Sequence, residues 1–215
     1  MNEDSTPIGL RLNALLTEAG LSPLDQALAG HFQDYLSLLL RWNARVNLTA
    51  IRDEEGTLSR HFVESIACAC ALPAGIATLL DFGSGAGFPG IPIALFRPEI
   101  SVTLAESQGK KAAFLQEAVR VLGIPVKIYA QRAELLTTQF DCVTLRAVDR
   151  MPQAVEAAAR LIAPGGWLAL MTTRADLPNL QAGAGASFSW NVEASLPGSD
   201  DRVVALGKKA ISSPA

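Results

Sequence analysis

Between Asp81 and Gly90 the chain reads DFGSGAGFPG, which places Gly83, Gly85 and Gly87 at alternate positions directly after an apolar run from Ile76 to Leu80. A buried parallel strand that stops at the carboxyl edge of its sheet turns into such a loop. Glycine suits it because positive φ and close approach of backbone N–H groups to a ligand both disfavour a Cβ. About twenty residues on, a second strand-like run, Ser101 to Ala105, ends in Glu106. A carboxylate at that place can accept both hydroxyls of a ribose. His61 shares a helical face with Ser65 and is a candidate base contact or a structural histidine. Cys68, Cys70 and Cys142, with only His31 and His61 beside them, make neither a disulfide framework nor a zinc cluster, so no metal is expected.

The spacing of the loop selects among ligands. Counted from Gly83, the first glycine after the strand, a dinucleotide fingerprint G-x-G-x-x-G would need its third glycine where this chain has Phe88. The pattern here is D-x-G-x-G-x-G, which favours a ligand without a pyrophosphate. Strand, glycine loop and an acid closing the next strand resemble the cofactor site of class I S-adenosylmethionine-dependent methyltransferases, and the resemblance implies S-adenosyl-L-methionine as cofactor. A nicotinamide-dependent oxidoreductase is the other enzyme class with a glycine loop and a ribose acid; Phe88 and a terminal hairpin argue against it. Without a ligand the same residues would be a tight turn and a solvated strand end.

The elements that must position these residues follow from periodicity. Leu28, Phe32, Tyr35, Leu39, Trp42 and Val46 recur at steps of four and three, one face of a helix that Asp25 can start. Shorter helices are expected at about Leu10 to Ala19 and Asp53 to Ala71. After Asp81 the chain alternates as α/β folds do. A helix begins in Phe88-Pro89-Gly90 and ends before Pro98; another spans Gly109 to Leu122, with Gly123 as its stop. Strands three and four are expected at Val126 to Tyr129 and Phe140 to Leu145, the latter ending at Arg146. A further helix carries Met151, Val155, Ala158 and Ile162, and Pro164-Gly165-Gly166 leads into a fifth strand, Trp167 to Thr172. Gln181 to Ser187 reads as small and flexible. Phe188 to Ser195 and Arg202 to Leu206, separated by PGSDD, form a hairpin that closes the sheet. The expected organisation is a helical N-terminal extension over 1–75, a Rossmann-like domain over 76–210 and a tail at 211–215.

Of the 215 residues, 49% are hydrophobic and 18% charged, which excludes disorder. The longest apolar region, around Ser65 to Leu80, is interrupted by Pro73 and Gly75 and falls short of a bilayer span. The acidic start, MNEDSTP, is followed by no apolar stretch of a secretion signal. A cytoplasmic, metal-free protein without a membrane segment is expected. The formal charge of −3 gives no basic balance overall. Cations gather locally, at Arg41, Arg45, Arg52 and Arg60 and at the pairs Lys110-Lys111 and Lys208-Lys209.

Longer strings carry a more specific likeness. RWNARVNLT at Arg41 to Thr49, RHFVES at Arg60 to Ser65, DFGSGAGFPGIP at Asp81 to Pro92, ESQGKK at Glu106 to Lys111 and LRA at Leu145 to Ala147 together resemble the bacterial glucose-inhibited division protein B family. Its members are 16S ribosomal RNA guanine-N7 methyltransferases. The resemblance implies a class I methyltransferase fold, α/β with a seven-stranded mostly parallel sheet, a C-terminal antiparallel hairpin and a helical N-terminal extension. It implies a guanine in the decoding region of small-subunit rRNA as substrate, with 16S rRNA or the 30S subunit as partner of a monomer. Gly83 and Phe88 match the family's loop contacts to the cofactor, with Gly85 and Gly87 in the same loop. Glu106 matches its ribose contact, Ala133-Glu134 the pair near the adenine, and Arg146 the arginine beside the methionine end. Arg146 equally suits an ion pair with Asp149 or Glu106, and Glu134 a helix cap. Family members often carry a lysine at the end of strand five; here Met171-Thr172-Thr173 stands there, and if that lysine helps bind RNA or the cofactor, either Arg174 or Arg202 substitutes or RNA affinity is weaker.

Guanine N7 is an unprotonated lone pair, so in-line attack on the sulfonium methyl needs no general base and catalysis rests on positioning. Arg41, Arg45, Arg52, Arg60, Lys110, Lys111 and Arg202 are the expected RNA contacts. Arg146 and His61 are the candidates nearest the chemistry. A methyltransferase acting on a small molecule or a protein, or a module that binds the cofactor without turnover, are the alternatives, and the acidic balance favours them more than the motifs do.

Overall fold

The structure, a computed structural model, describes residues 7–211, and for 191–193 the backbone alone. The expected tail, apart from Ile211, and the first six residues of the expected extension lie outside the described residues.

Four helices and a π-helical segment precede the sheet: α1 (Ile8–Glu18), α2 (Gln26–Asn43), α3 (Glu54–Gly56), the π segment Thr57–Val63 and α4 (Glu64–Ala71). Asp25 caps α2, its carboxylate accepting the Leu28 N–H at 2.8 Å, as its place before the apolar stripe predicts. Phe32, Tyr35 and Leu39 of that stripe are fully buried. Arg11 ties α1 to α3 through Glu54 and Glu55.

The sheet has seven strands in the order β3-β2-β1-β4-β5-β7-β6. In sequence these are β1 (Thr78–Phe82), β2 (Ser101–Ala105), β3 (Lys127–Tyr129), β4 (Phe140–Arg146), β5 (Ile162–Thr173), β6 (Phe188–Ser195) and β7 (Arg202–Lys209). The first five pair in parallel, and β7 runs antiparallel to both β5 and β6. Between them lie α5 (Gly90–Phe96), α6 (Gly109–Leu122), α7 (Met151–Arg160) and α8 (Leu177–Ala184). Residues of β1 alternate between two cores. Leu79 joins Val102, Leu104 and Cys142 under the N-terminal helices, α5 and α6. Leu80 and Phe82 join Val143 and Leu145 under α7 and α8. Covering on both faces is why this strand reads as an unbroken apolar run. Because β1 has β2 on one side and β4 on the other, the strand order reverses at β1. A crevice therefore opens at the carboxyl ends of these strands.

The structure corrects several boundaries. Gln181 to Ser187 is not a flexible stretch: α8 runs through Ala184, with Pro178 in its first turn and Leu177, Leu180 and Ala184 buried on one face. Small residues there allow close packing on α7 rather than freedom. Strand β5 begins at Ile162, and Pro164-Gly165-Gly166 is absorbed as an irregularity between the pairs Phe140↔Ile162 and Cys142↔Trp167. Strand β7 continues to Lys209, with Gly207 beneath the Trp190 ring, where a Cβ would come within 2.9 Å. Strand β1 is shifted by two residues, so Asp81 lies inside the strand instead of after it.

One core includes α1, α2 and α4 together with the adjacent sheet face. Its link to the loop after β1 is Tyr35, fully buried, whose hydroxyl donates to the Ala86 carbonyl at 2.5 Å while its ring stacks on Phe62 and packs against Phe88. Tyr35→Phe leaves that carbonyl without its donor. Urea denaturation should show a loss of about 1 kcal/mol with an unchanged m-value, the mark of a lost hydrogen bond without a change of fold.

Candidate active site

The loop after β1 is fixed by bonds from its own strand, the neighbouring strand and α2. Asp81, 1% exposed, accepts the Thr144 hydroxyl at 2.9 Å through Oδ1 and the Gly90 N–H at 3.1 Å through Oδ2. Gly90 must be glycine here, since a Cβ would lie 2.3 Å from Leu104 and 2.7 Å from Asp81 Oδ2. The Gly83 and Ser84 N–H groups both donate to the Ala105 carbonyl at 3.0 Å. The Gly85 N–H donates to Glu106 Oε2 at 2.9 Å, and the Gln108 N–H to Glu106 Oε1 at 2.7 Å. Gly83, Gly85 and Gly87 all have positive φ, the conformational demand that their spacing predicts.

A cavity of about 1100 Å³ opens over this loop. Gly83, Gly85, Phe88 and Glu106 line it on the β1–β2 side, and Ala133 and Glu134, on a short 3₁₀ turn after β3, line its far end. Arg146, at the end of β4, also lines it, as do His61, Arg60 and Arg202. Gly87 does not line it; a Cβ there would lie 2.7 Å from the Tyr35 hydroxyl and 2.6 Å from Ile91, so Gly87 serves the packing of the loop on α2. A Cβ on Gly85, by contrast, has nothing nearer than the Gly83 carbonyl at 4.0 Å, so that backbone faces open space.

The expected RNA-binding cations divide. Arg60, Lys111 and Arg202 line the cavity, whereas Arg41, Arg45, Arg52 and Lys110 are exposed outside its wall. Arg41 lies 3.9 Å from Glu117, and Arg52 donates to Asn47 at 2.6 Å. The two substitutes for the lysine after strand five also separate. Arg174 donates to the Asp200 carbonyl and to Ser195, bracing the β6–β7 hairpin, and Arg202 alone of the two lines the cavity.

Arg146 pairs with neither Asp149 nor Glu106. Its partner is Glu64, which sequence reasoning did not single out. Glu64 is 1% exposed and accepts Arg146 Nη2 at 2.9 Å, Arg202 Nε at 2.9 Å and Arg60 Nε at 3.1 Å. The available signal was an acid inside the apolar helix around RHFVES, which cannot be buried unless cations reach it. His61 stacks on Phe88 with ring centroids 4.5 Å apart, and its Nε2 meets the Thr49 hydroxyl at 2.8 Å. Burial first, and then Arg146 and Arg60, push its pKa down to about 3, so the ring is neutral and a poor base.

Asp81 shifts the other way. Burial raises its pKa to about 6, against the opposing pull of its hydrogen bonds and Arg146. The folded state therefore holds this proton more tightly than the unfolded chain, and stability falls as pH rises from about 4 through about 6. Asp81→Asn removes the titration. Relative to wild type the variant should gain about 1 kcal/mol between pH 5 and 7.5, as read from urea midpoints at the two pH values.

Comparison with known proteins adds to this geometry. The profile of the family described as rRNA small subunit methyltransferase G matches residues 29–196. The ribosomal RNA small subunit methyltransferase G of Stenotrophomonas maltophilia (strain K279a) is 42% identical over 176 residues, 80% of this chain and 81% of that protein. The protein of the same name from Roseiflexus sp. (strain RS-1) is 43% identical over 157 residues, 66% of this chain and 67% of its own length. Among solved structures, a methyltransferase from Pyrococcus furiosus superposes with a TM-score of 0.61 at 15% identity, covering 85% of this chain and all of that one, a likeness of fold. With the family profile spanning most of its length and relatives above 40% identity, this chain belongs to the rRNA small subunit methyltransferase G family.

Proposed function

We propose that the protein transfers a methyl group from S-adenosylmethionine to N7 of a guanine in the decoding region of 16S rRNA, free or within the 30S subunit. The observation that carries this reading is the fixed loop beside Glu106, whose carboxylate uses two of its roughly four acceptor positions on Gly85 and Gln108 and keeps the others for a ribose. The residues fit the cofactor: Gly85 leaves room for close approach, and the buried Arg146 Nη1 has no hydrogen-bond partner among the described residues. In this reading Glu106 holds the ribose, Ala133 and Glu134 flank the adenine, Gly83 and Phe88 shape the loop side, and Arg146 faces the methionine end. When bound, S-adenosylmethionine supplies an electrophilic methyl on a sulfonium.

The protein's own part is positioning. Guanine N7 carries a free lone pair, so no side chain need take a proton to expose it. The neutral His61 ring, stacked on Phe88, acts as a wall of the pocket. Arg60, Lys111 and Arg202 at the cavity, with Arg41, Arg45, Arg52 and Lys110 around it, attract the RNA backbone although the whole chain carries a formal charge of −3. The helices before residue 76, with Lys110, Lys111 and Arg202 of the sheet domain, make this RNA-facing surface, and the sheet domain holds the cofactor, in a cytoplasmic monomer. Among the described residues no helix is long and apolar enough to cross a membrane, and no three His, Cys, Asp or Glu side chains gather as a metal site requires.

Incubation of the protein with labelled S-adenosylmethionine and 30S subunits lacking their N7 modification, followed by mapping, tests the reading. Label is expected on one decoding-region guanine at N7. Label at another base or atom, or on protein, would replace the substrate; no label on subunits or naked rRNA would remove it.

A further inference from the structure

Among the described residues, buried side-chain nitrogen or oxygen atoms without a hydrogen-bond partner occur on His61, Ser65, Arg146 and Arg202. These four residues come from the π segment, α4, the end of β4 and the start of β7. Three of them line one wall of the cavity, and Ser65 adjoins Glu64 behind it. Buried polar groups in native proteins nearly always have partners; since Arg202 Nη2 is ion-paired to Glu64 and Ser65 does not line the cavity, Arg146 Nη1 and His61 Nδ1 are the atoms of this group left for the polar atoms of a ligand.

Glu64 lies at the centre of this wall. Its Oε2 takes Arg146 Nη2, and its Oε1 takes Arg202 Nε and Arg60 Nε. Arg146 Nη2 also donates to the Arg60 carbonyl at 2.5 Å, which fixes one edge of its fork and leaves Nη1 without a protein partner. Arg202 Nη2 lies 2.6 Å from Glu64 Oε1 but off the hydrogen-bond angle, the bond itself running through Nε at 2.9 Å. The clamp sets three guanidiniums against one carboxylate, an excess of positive charge. Arg146 and Arg202 are only 13% and 24% exposed, so neither charge can be relieved by water alone.

We propose that Glu64 is a positioning residue: by holding Arg146 and Arg202 as one fixed pair it builds an oxyanion subsite on this wall of the cavity, an inference that rests on the methyltransferase reading above. Arginine forks bind oxyanions strongly when one edge is immobilised and the other is free. Two guanidiniums this close repel each other, and without the acid between them they would turn away toward solvent. The negative charge of Glu64 therefore strengthens anion binding, the opposite of what a merely dampening carboxylate would do. The oxyanion has two possible sources, the α-carboxylate of the cofactor and a backbone phosphate of the RNA. Strand β4 adjoins β1 and its glycine loop, while β7 lies beyond β5, so Arg146 stands on the cofactor side and Arg202 farther out.

The test uses Glu64→Gln and Glu64→Asp, each checked for folding by near-ultraviolet circular dichroism. Calorimetry with S-adenosylhomocysteine alone reads the carboxylate source. Binding of a 16S rRNA fragment over a range of salt, with S-adenosylhomocysteine present, reads the phosphate source. Glu64→Gln should weaken at least one of the two by tenfold or more, and Glu64→Asp should restore part of the loss. If the phosphate is the source, the salt slope should also fall by about one. A folded Glu64→Gln that binds both ligands within twofold of wild type, or more tightly, would overturn the proposal. Should the Gln variant not fold, wild-type crystals grown with S-adenosylhomocysteine and inorganic phosphate decide. An oxyanion oxygen within about 3.2 Å of Arg146 Nη1, with the Glu64 bonds kept, supports the subsite, and an Nη1 that meets no such oxygen refutes it. A wild type that fails to bind S-adenosylhomocysteine would sink the methyltransferase reading, while the RNA arm and the phosphate-soaked crystal still decide the role of Glu64.

Discussion

The structure depends on keeping one glycine-rich turn in a single shape. Three glycines with positive φ would leave it a loose loop, and the sequence opposes that freedom with bonds from three sides. Asp81 holds the start of α5 through Gly90 and is itself held by Thr144. The Ala105 carbonyl and the Glu106 side chain hold Gly83, Ser84 and Gly85 from β2. Tyr35 holds Ala86 from α2. Burying Asp81 is costly, as its raised pKa records. The result is a turn held in one conformation, which in the proposed reading spares the ordering entropy that a flexible loop would lose on binding the cofactor.

The N-terminal helices take part in the site as well as in the core. Tyr35 reaches the glycine loop, His61 stacks on Phe88, and Glu64 gathers Arg146 and Arg202 from distant strands. The π-helical segment Thr57–Val63 immediately precedes Glu64 and carries His61. Widened turns of this kind are frequent at functional sites. The cavity is thus lined from the sheet edge by the glycine loop and Glu106, and elsewhere by His61 and Glu64 of the helical region together with Arg146 and Arg202 of β4 and β7.

Much of this was legible in the sequence because it rests on local signals. The D-x-G-x-G-x-G turn, Glu106 at the end of β2, Asp25 as a cap and Gly123 as a left-handed stop each depend on a few neighbouring residues, and the structure shows each as expected. What was missed depends on distance. Helix α8 was hidden by its small residues, whose role as a close-packing surface exists only against α7. The partner of Arg146 lies 82 residues away and that of Arg202 lies 138 away, so no spacing rule links them to Glu64. Gly87 belongs to the same glycine series as Gly85, and only the position of Tyr35 reveals that one faces packing and the other the cavity.

In the proposed reading the pinned turn and Glu106 form a ready-made seat for the adenosine of S-adenosylmethionine. Calorimetric titration of that cofactor into wild type and Glu106→Gln tests it most directly. One molecule should bind per wild-type chain, and the variant, which keeps the size of the side chain but loses the charge that two ribose hydroxyls would meet, should bind at least tenfold more weakly. Equal affinity in the two proteins, or no binding to wild type, would rule out Glu106 as the ribose acceptor.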